Sequence, residues 1–156
     1  MMRRMQPLLA HKHLLVRAEV NAPPMEGYDL TLELASLVHH IDMKILSGPH
    51  TAWCPVEGNK GWSGTVIIET SSITFHSWIE AHYPVIQLDV YSCKDFDVKT
   101  ILLWLRQFEP ERVDYKFLDR EHCFTEISSG SHNILEEGED ILVCHPIHDL
   151  DPKEWL

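Results

Sequence analysis

Gly61-Trp-Ser-Gly-Thr-Val-Ile-Ile-Glu-Thr-Ser-Ser-Ile-Thr-Phe-His-Ser-Trp-Ile-Glu80 is the stretch that decides the fold. Residues 62–69 (WSGTVIIE) have a β-branched centre and read as a strand, and residues 72–78 (SITFHSW) read as the next one. Residues 79–84 lead into a third, 85–93 (VIQLDVYSC), so the middle of the chain is an antiparallel meander. Because strand side chains alternate, Ile73 and Phe75 share one face, while Thr74, His76 and Trp78 share the other. Glu80 joins the second set if the extended conformation continues. In the third strand Ile86, Leu88 and Val90 lie together, opposite Gln87, Asp89, Tyr91 and Cys93. One face is thus apolar and ready to be covered by helices. The other carries His, Trp, Glu, Tyr and Cys, which reads either as a solvated outer surface or as a chemically competent group.

Upstream, residues 13–20 (HLLVRAEV) form a strand that stops at the Asn21-Ala-Pro-Pro24 turn signal. From Asp29, read as an N-cap, Leu30, Leu34, Leu37, Val38 and Ile41 recur on the stripe of an amphipathic helix ending near residues 42–44. Residues 44–47 then make a short strand, followed by an irregular stretch over 50–60. Downstream, Asp97 caps a helix whose apolar face is Val98, Ile101, Leu102, Leu105 and Phe108, with Glu109-Pro110 ending it, and residues 112–118 form a last strand. The order β-α-β-β-β-β-α-β predicts an α+β fold, a two-layer α/β sandwich of a mainly antiparallel sheet with both helices on one face. The domain spans residues 1–121. Residues 122–156 read as an acidic C-terminal extension and not a separate domain, with 128–131 and 136–140 loop-like and 141–144 able to add an edge strand.

The 156 residues suit one domain with a real core. A formal net charge of −11 argues against a nucleic-acid or anionic-membrane partner. No apolar run is long enough to span a membrane, and residues 1–5 (MMRRM) lead into no continuous apolar signal segment, so a cytoplasmic protein is expected. Cys54, Cys93, Cys123 and Cys144 contain no C-x-x-C pair and read as free thiols. Histidines cluster at His11/His13, His39/His40 and His145/His148. Adjacent helical histidines point about 100° apart and no cysteine pair completes a site, so no metal is expected.

The run Ser71-Ser-Ile-Thr-Phe-His-Ser-Trp-Ile-Glu80, followed by Leu88-Asp-Val-Tyr-Ser-Cys93, resembles the small bacterial and archaeal S-adenosylmethionine decarboxylases. Their motif runs E-S-H-I-S-I-H-T-W-P-E and then V-D-V-Y-T-C-G. His13-Leu-Leu, Gly61-Trp-Ser-Gly64 and Phe108-Glu-Pro110 also fall where that family has comparable residues, so the likeness covers residues 12–120. It implies the family's sandwich fold and a pyruvoyl group made from Ser71 by self-cleavage at Thr70-Ser71. Ser63 would stabilise the ester-forming intermediate, His76 would take the α-proton during elimination, and Cys93 would return a proton to the substrate. Trp78 and Trp53 would stack on the adenine of S-adenosylmethionine, and Glu80 would accept hydrogen bonds from its ribose. A homodimer and a place in spermidine synthesis come with the resemblance. This chain departs from the motif at Thr70, Ser72, Ile79 and Lys94, where the family has Glu, His, Pro and Gly. Two further readings stay open: a pyruvoyl-dependent decarboxylase of ornithine or arginine, and an uncleaved, inactive homologue serving as a binding or regulatory subunit.

Overall fold

In a computed structural model, residues 10–133 are described. In chain order they form β1 (Lys12–Val20), α1 (Gly27–His40), β2 (Ile45–Cys54), β3 (Gly61–Ile68), β4 (Ser71–Trp78) and β5 (Val85–Ser92). Then come α2 (Val98–Trp104), a 3-10 turn (Leu105–Phe108), β6 (Pro110–Asp119) and β7 (Thr125–Asn133). The strands build one sheet in the order β2-β3-β4-β5-β1-β6-β7, and every neighbouring pair is antiparallel. Strict alternation in β4 buries Ser71, Ile73, Phe75 and Ser77 and leaves Ser72, Thr74, His76 and Trp78 partly exposed. The apolar set meets Leu30, Leu34, Leu37 and Val38 of α1 and Ile101 and Trp104 of α2 in one core. The Trp104 indole donates to the Glu33 carbonyl at 3.2 Å, tying the helices together over that face. The two-layer α/β sandwich read from the strand pattern is therefore the fold.

Three boundaries differ from the sequence reading. Helix α1 begins at Gly27, with Glu26 rather than Asp29 in the N-cap position, and Asp29 lies in the first turn, where its charge complements the helix dipole. Gly27 starts the helix because it tucks beneath Trp62: a Cβ there would lie 2.5 Å from the indole ring. Strand β2 runs on through the Gly48-Pro49 breaker to Cys54, so much of the expected irregular stretch is sheet. It is an edge strand, where register shifts and a proline without an N–H disturb only one neighbour. Helix α2 tightens into the 3-10 turn before Glu109, although Asp97 caps it as read, its carboxylate accepting from the Lys99 N–H at 2.9 Å.

The loop-like stretch 128–131 lies within β7, paired with β6 through Ser131↔Asp114 and Gly130↔Tyr115. Gly130 permits this, since a Cβ would sit 2.7 Å from the Tyr115 ring. Cys54, Cys93 and Cys123 are free thiols. Residues 1–5, the acidic run 136–140, the possible strand 141–144, Cys144, and the pair His145/His148 lie outside the described residues. Among the described residues, no helix is long and apolar enough to cross a membrane.

Candidate active site

The β3–β4 hairpin is closed by two residues. Ile68 pairs with Ser71, so Glu69 and Thr70 alone make the turn, and Thr70 takes a left-handed backbone with φ of +52°. The Glu69 carbonyl oxygen collects three donors: Thr70 Oγ1 at 2.8 Å, Ser71 Oγ at 3.0 Å and Cys93 Sγ at 3.0 Å. The Cys93 backbone N–H in turn donates to Ser71 Oγ at 2.7 Å. Topology explains the meeting. Strand β5 runs antiparallel to β4 with Ser72 opposite Tyr91, so the residue just past the end of β5 arrives beside the first residue of β4. Ser71 is 7% exposed.

Cys93 therefore does not stand on the open sheet face, as alternation along 85–93 predicted. Strand β5 ends at Ser92, and Cys93 turns in to pack against the helix-side core. Burial pushes its thiol pKa up. Hydrogen bonding with Thr70 and Ser71 and with the backbone outweighs that burial and the nearby Glu69 charge, so the pKa lies below the ordinary value. Lys94 adds a cation here, with its ammonium 3.8 Å from the Glu69 carboxylate and donating to the Asp42 carbonyl at 3.2 Å.

Ser63 and His76 form a second pair. They face each other across β3 and β4 in direct register, with Ser63 Oγ 2.7 Å from His76 Nδ1. His76 lies five positions after Ser71, a distance of about 16 Å along a strand. The odd offset also puts them on opposite faces, Ser71 on the helix-covered side and His76 on the open one. Within one chain, then, Ser71 and Cys93 come together, Ser63 and His76 come together, and the two pairs stay apart. Trp78 stands beside His76 with ring centroids 6.1 Å apart. Trp53 pairs in register with Trp62, the rings 5.6 Å apart, and Trp62 belongs to the core-side set of β3. The two tryptophans expected to flank adenine thus occupy opposite faces of the sheet. Glu80 is held by Lys60 at 2.7 Å and by the Gly58 and Lys60 amides, and the Lys60 ammonium keeps its carboxyl below the usual range.

The open face also carries a polar network that sequence reading did not assemble. His13 Nε2 lies 2.8 Å from Asp89, His11 Nδ1 lies 2.8 Å from the Tyr91 hydroxyl, and the Arg120 guanidinium sits 4.1 Å above the Tyr91 ring. Alternation along 85–93 had put Asp89 and Tyr91 on this face. Their partners required knowing that β1 lies between β5 and β6, a crossover that no local pattern announces. Lys60 and Lys94 were missed for the same reason, since each meets its carboxylate only through tertiary contact.

Comparison with known proteins matches this segment. A family profile described as S-adenosylmethionine decarboxylase matches residues 30–121, which include Ser63, Ser71, His76 and Cys93. An S-adenosylmethionine decarboxylase proenzyme from Clostridium botulinum (strain Hall) is 33% identical over 89 residues, covering 56% of this chain and 72% of the relative. Proenzymes of the same name from Sulfurihydrogenibium and Persephonella marina are 34% and 36% identical over 62 residues, covering 38% of this chain and 45% of each relative.

Proposed function

Because the chain belongs to the S-adenosylmethionine decarboxylase family, we propose that it is a proenzyme that cuts itself at Thr70-Ser71 and then decarboxylates S-adenosylmethionine. It is a carboxy-lyase of that family. The observation that carries the reading is the turn itself: Ser71 Oγ, the Cys93 N–H and thiol, and the Glu69 carbonyl all meet where the bond would be cut. In the first step Ser71 Oγ attacks the Thr70 carbonyl carbon. A C–O bond forms, the Thr70–Ser71 C–N bond breaks, and the hydroxyl proton passes to the Ser71 nitrogen, leaving an ester. The His76 of a second copy, oriented by that copy's Ser63, removes the Ser71 α-proton so that Thr70 leaves as a carboxylate. Hydrolysis with loss of ammonia completes a pyruvoyl group at residue 71.

The residues fit that group. Ser71 heads a strand at a tight turn, buried, with an N–H on its Oγ and a thiol sharing its carbonyl acceptor. When formed, the group supplies a carbonyl that acts as electron sink for loss of CO2. Cys93 Sγ holds the proton that the substrate α-carbon needs afterwards. Trp78, on the open face beside His76, supplies an aromatic surface for adenine, whereas Trp53 lies on the other face and is left out of that role, and Glu80, fixed by Lys60, accepts from the ribose hydroxyls. The separation of the Ser63–His76 pair from Ser71 supports a homodimer in which one copy's pair serves the other copy's serine. The product would be an aminopropyl donor for spermidine synthesis in the cytoplasm.

Intact-mass analysis of purified protein tests the proposal. Wild type should yield two chains divided between residues 70 and 71, the second blocked to N-terminal sequencing, while Ser71→Ala should stay whole. Wild type that remains a single 18.1 kDa chain after long incubation at neutral pH would sink it, in favour of an uncleaved binding or regulatory homologue.

A further inference from the structure

Five non-glycine residues among those described have a positive φ: Asp42, Thr70, Glu109, Cys123 and Phe124. Only Thr70 is β-branched, the side-chain type least tolerant of the left-handed region. Its carbonyl is the one that Ser71 would attack. The ladder holds the conformation in place, because Ile68↔Ser71 pairing leaves two residues to reverse the chain. The Glu69 carbonyl clamps it further, with Thr70, Ser71 and Cys93 all donating to one oxygen.

We infer that Thr70 is a positioning residue for self-cleavage, holding its own carbonyl in a strained turn whose strain the reaction releases. The inference rests on cleavage at Thr70-Ser71. In the N-to-O shift the Thr70 C–N bond breaks as the Thr70 C–O bond to Ser71 forms, with the hydroxyl proton moving to the Ser71 nitrogen. Once the peptide is replaced by an ester, the ladder no longer dictates φ at residue 70, and Thr70 can leave the left-handed region. Strain present in the uncut chain and absent beyond it lowers the barrier from the ground-state side. The feature that Thr shares with Val, branching at Cβ, is the active one, and the hydroxyl is secondary.

Cleavage rates of freshly purified wild type, Thr70→Gly and Thr70→Val, followed by intact mass, test this directly. Glycine accepts the left-handed backbone without strain, so Thr70→Gly should cut roughly tenfold more slowly, about 1.4 kcal/mol of barrier. Thr70→Val should recover most of that loss. In the uncleavable Ser71→Ala background, adding Thr70→Gly should raise the melting temperature by a few degrees, despite the freedom that glycine gives the unfolded chain. Thr70→Gly that keeps pace with wild type, or a melting temperature that does not rise, overturns the role of Thr70 while leaving self-cleavage standing. A wild-type chain that never cleaves overturns self-cleavage itself, and the role of Thr70 falls with it.

Discussion

Cys93 and Ser71 share a carbonyl acceptor, yet their tasks separate in time. Attack on Thr70 and the elimination involve no thiol, so Cys93→Ala should still divide into two chains while its decarboxylase turnover falls by about 100-fold or more. Mass and rate measured on one preparation check both halves. The pH profile gives the sign. As a proton donor the thiol must be protonated; the hydrogen bonding with Thr70 and Ser71 that lowers its pKa belongs to the uncut chain and goes when the Ser71 hydroxyl is consumed. Turnover should therefore fall on the alkaline side as pH rises through the thiol range, around the ordinary value of 9.0. A profile flat through that range would remove Cys93 from the proton step. Glu80 raises the matter of substrate. With its carboxylate fixed by Lys60, both Glu80→Gln and Lys60→Met should weaken calorimetric binding of S-adenosylmethionine by about tenfold, and Trp78→Ala should weaken it as well. Ornithine or arginine binding more tightly, and untouched by these changes, would move the assignment to an amino-acid decarboxylase.

Strand β3 shows how an element can depend on what its glycines leave out. A Cβ on Gly61 would lie 1.9 Å from the Ser77 carbonyl oxygen, a backbone atom of β4 that cannot move without breaking the ladder. On Gly64 it would lie 2.6 Å from Leu34 Cδ1, the end of a side chain that can shift. Urea denaturation should find Gly64→Ala less stable by about 1–3 kcal/mol. Gly61→Ala should lose more, or fail to accumulate as folded protein; equal losses would show that the β3–β4 contact yields as easily as a leucine. The three strands of the meander were legible because β-branched density and period-2 alternation agree there. Strands β2 and β7 were not. Gly48-Pro49 and the serine-rich 128–131 are breakers in local terms, and they become strand only because a formed edge tolerates irregular pairing on one side.

For the whole molecule, the distance along β4 makes a sharp demand. If a second copy supplies the Ser63–His76 pair, then Ser71→Ala chains and His76→Ala chains should each stay uncut alone. Co-expressed, they should yield cut His76→Ala chains, whose serine is served by the partner's histidine. Absence of cut chain in a verified mixed dimer would show that each chain completes its own site. By itself the sequence determined the layers, the apolar face, the motif that marks the family and the identity of the residues with chemical capacity. Those follow from side-chain type and from a period set by the backbone. Only the tertiary structure decided which residues meet. Cys93 leaves the open face because β5 stops one residue early, beside the start of β4. His13 finds Asp89 because β1 enters the sheet between β5 and β6. Thr70 is left-handed because two residues must reverse a chain that pairing has already aligned. Local pattern carries information over a few residues, whereas strand ends, crossovers and turn strain are settled by packing and pairing between segments far apart in the chain.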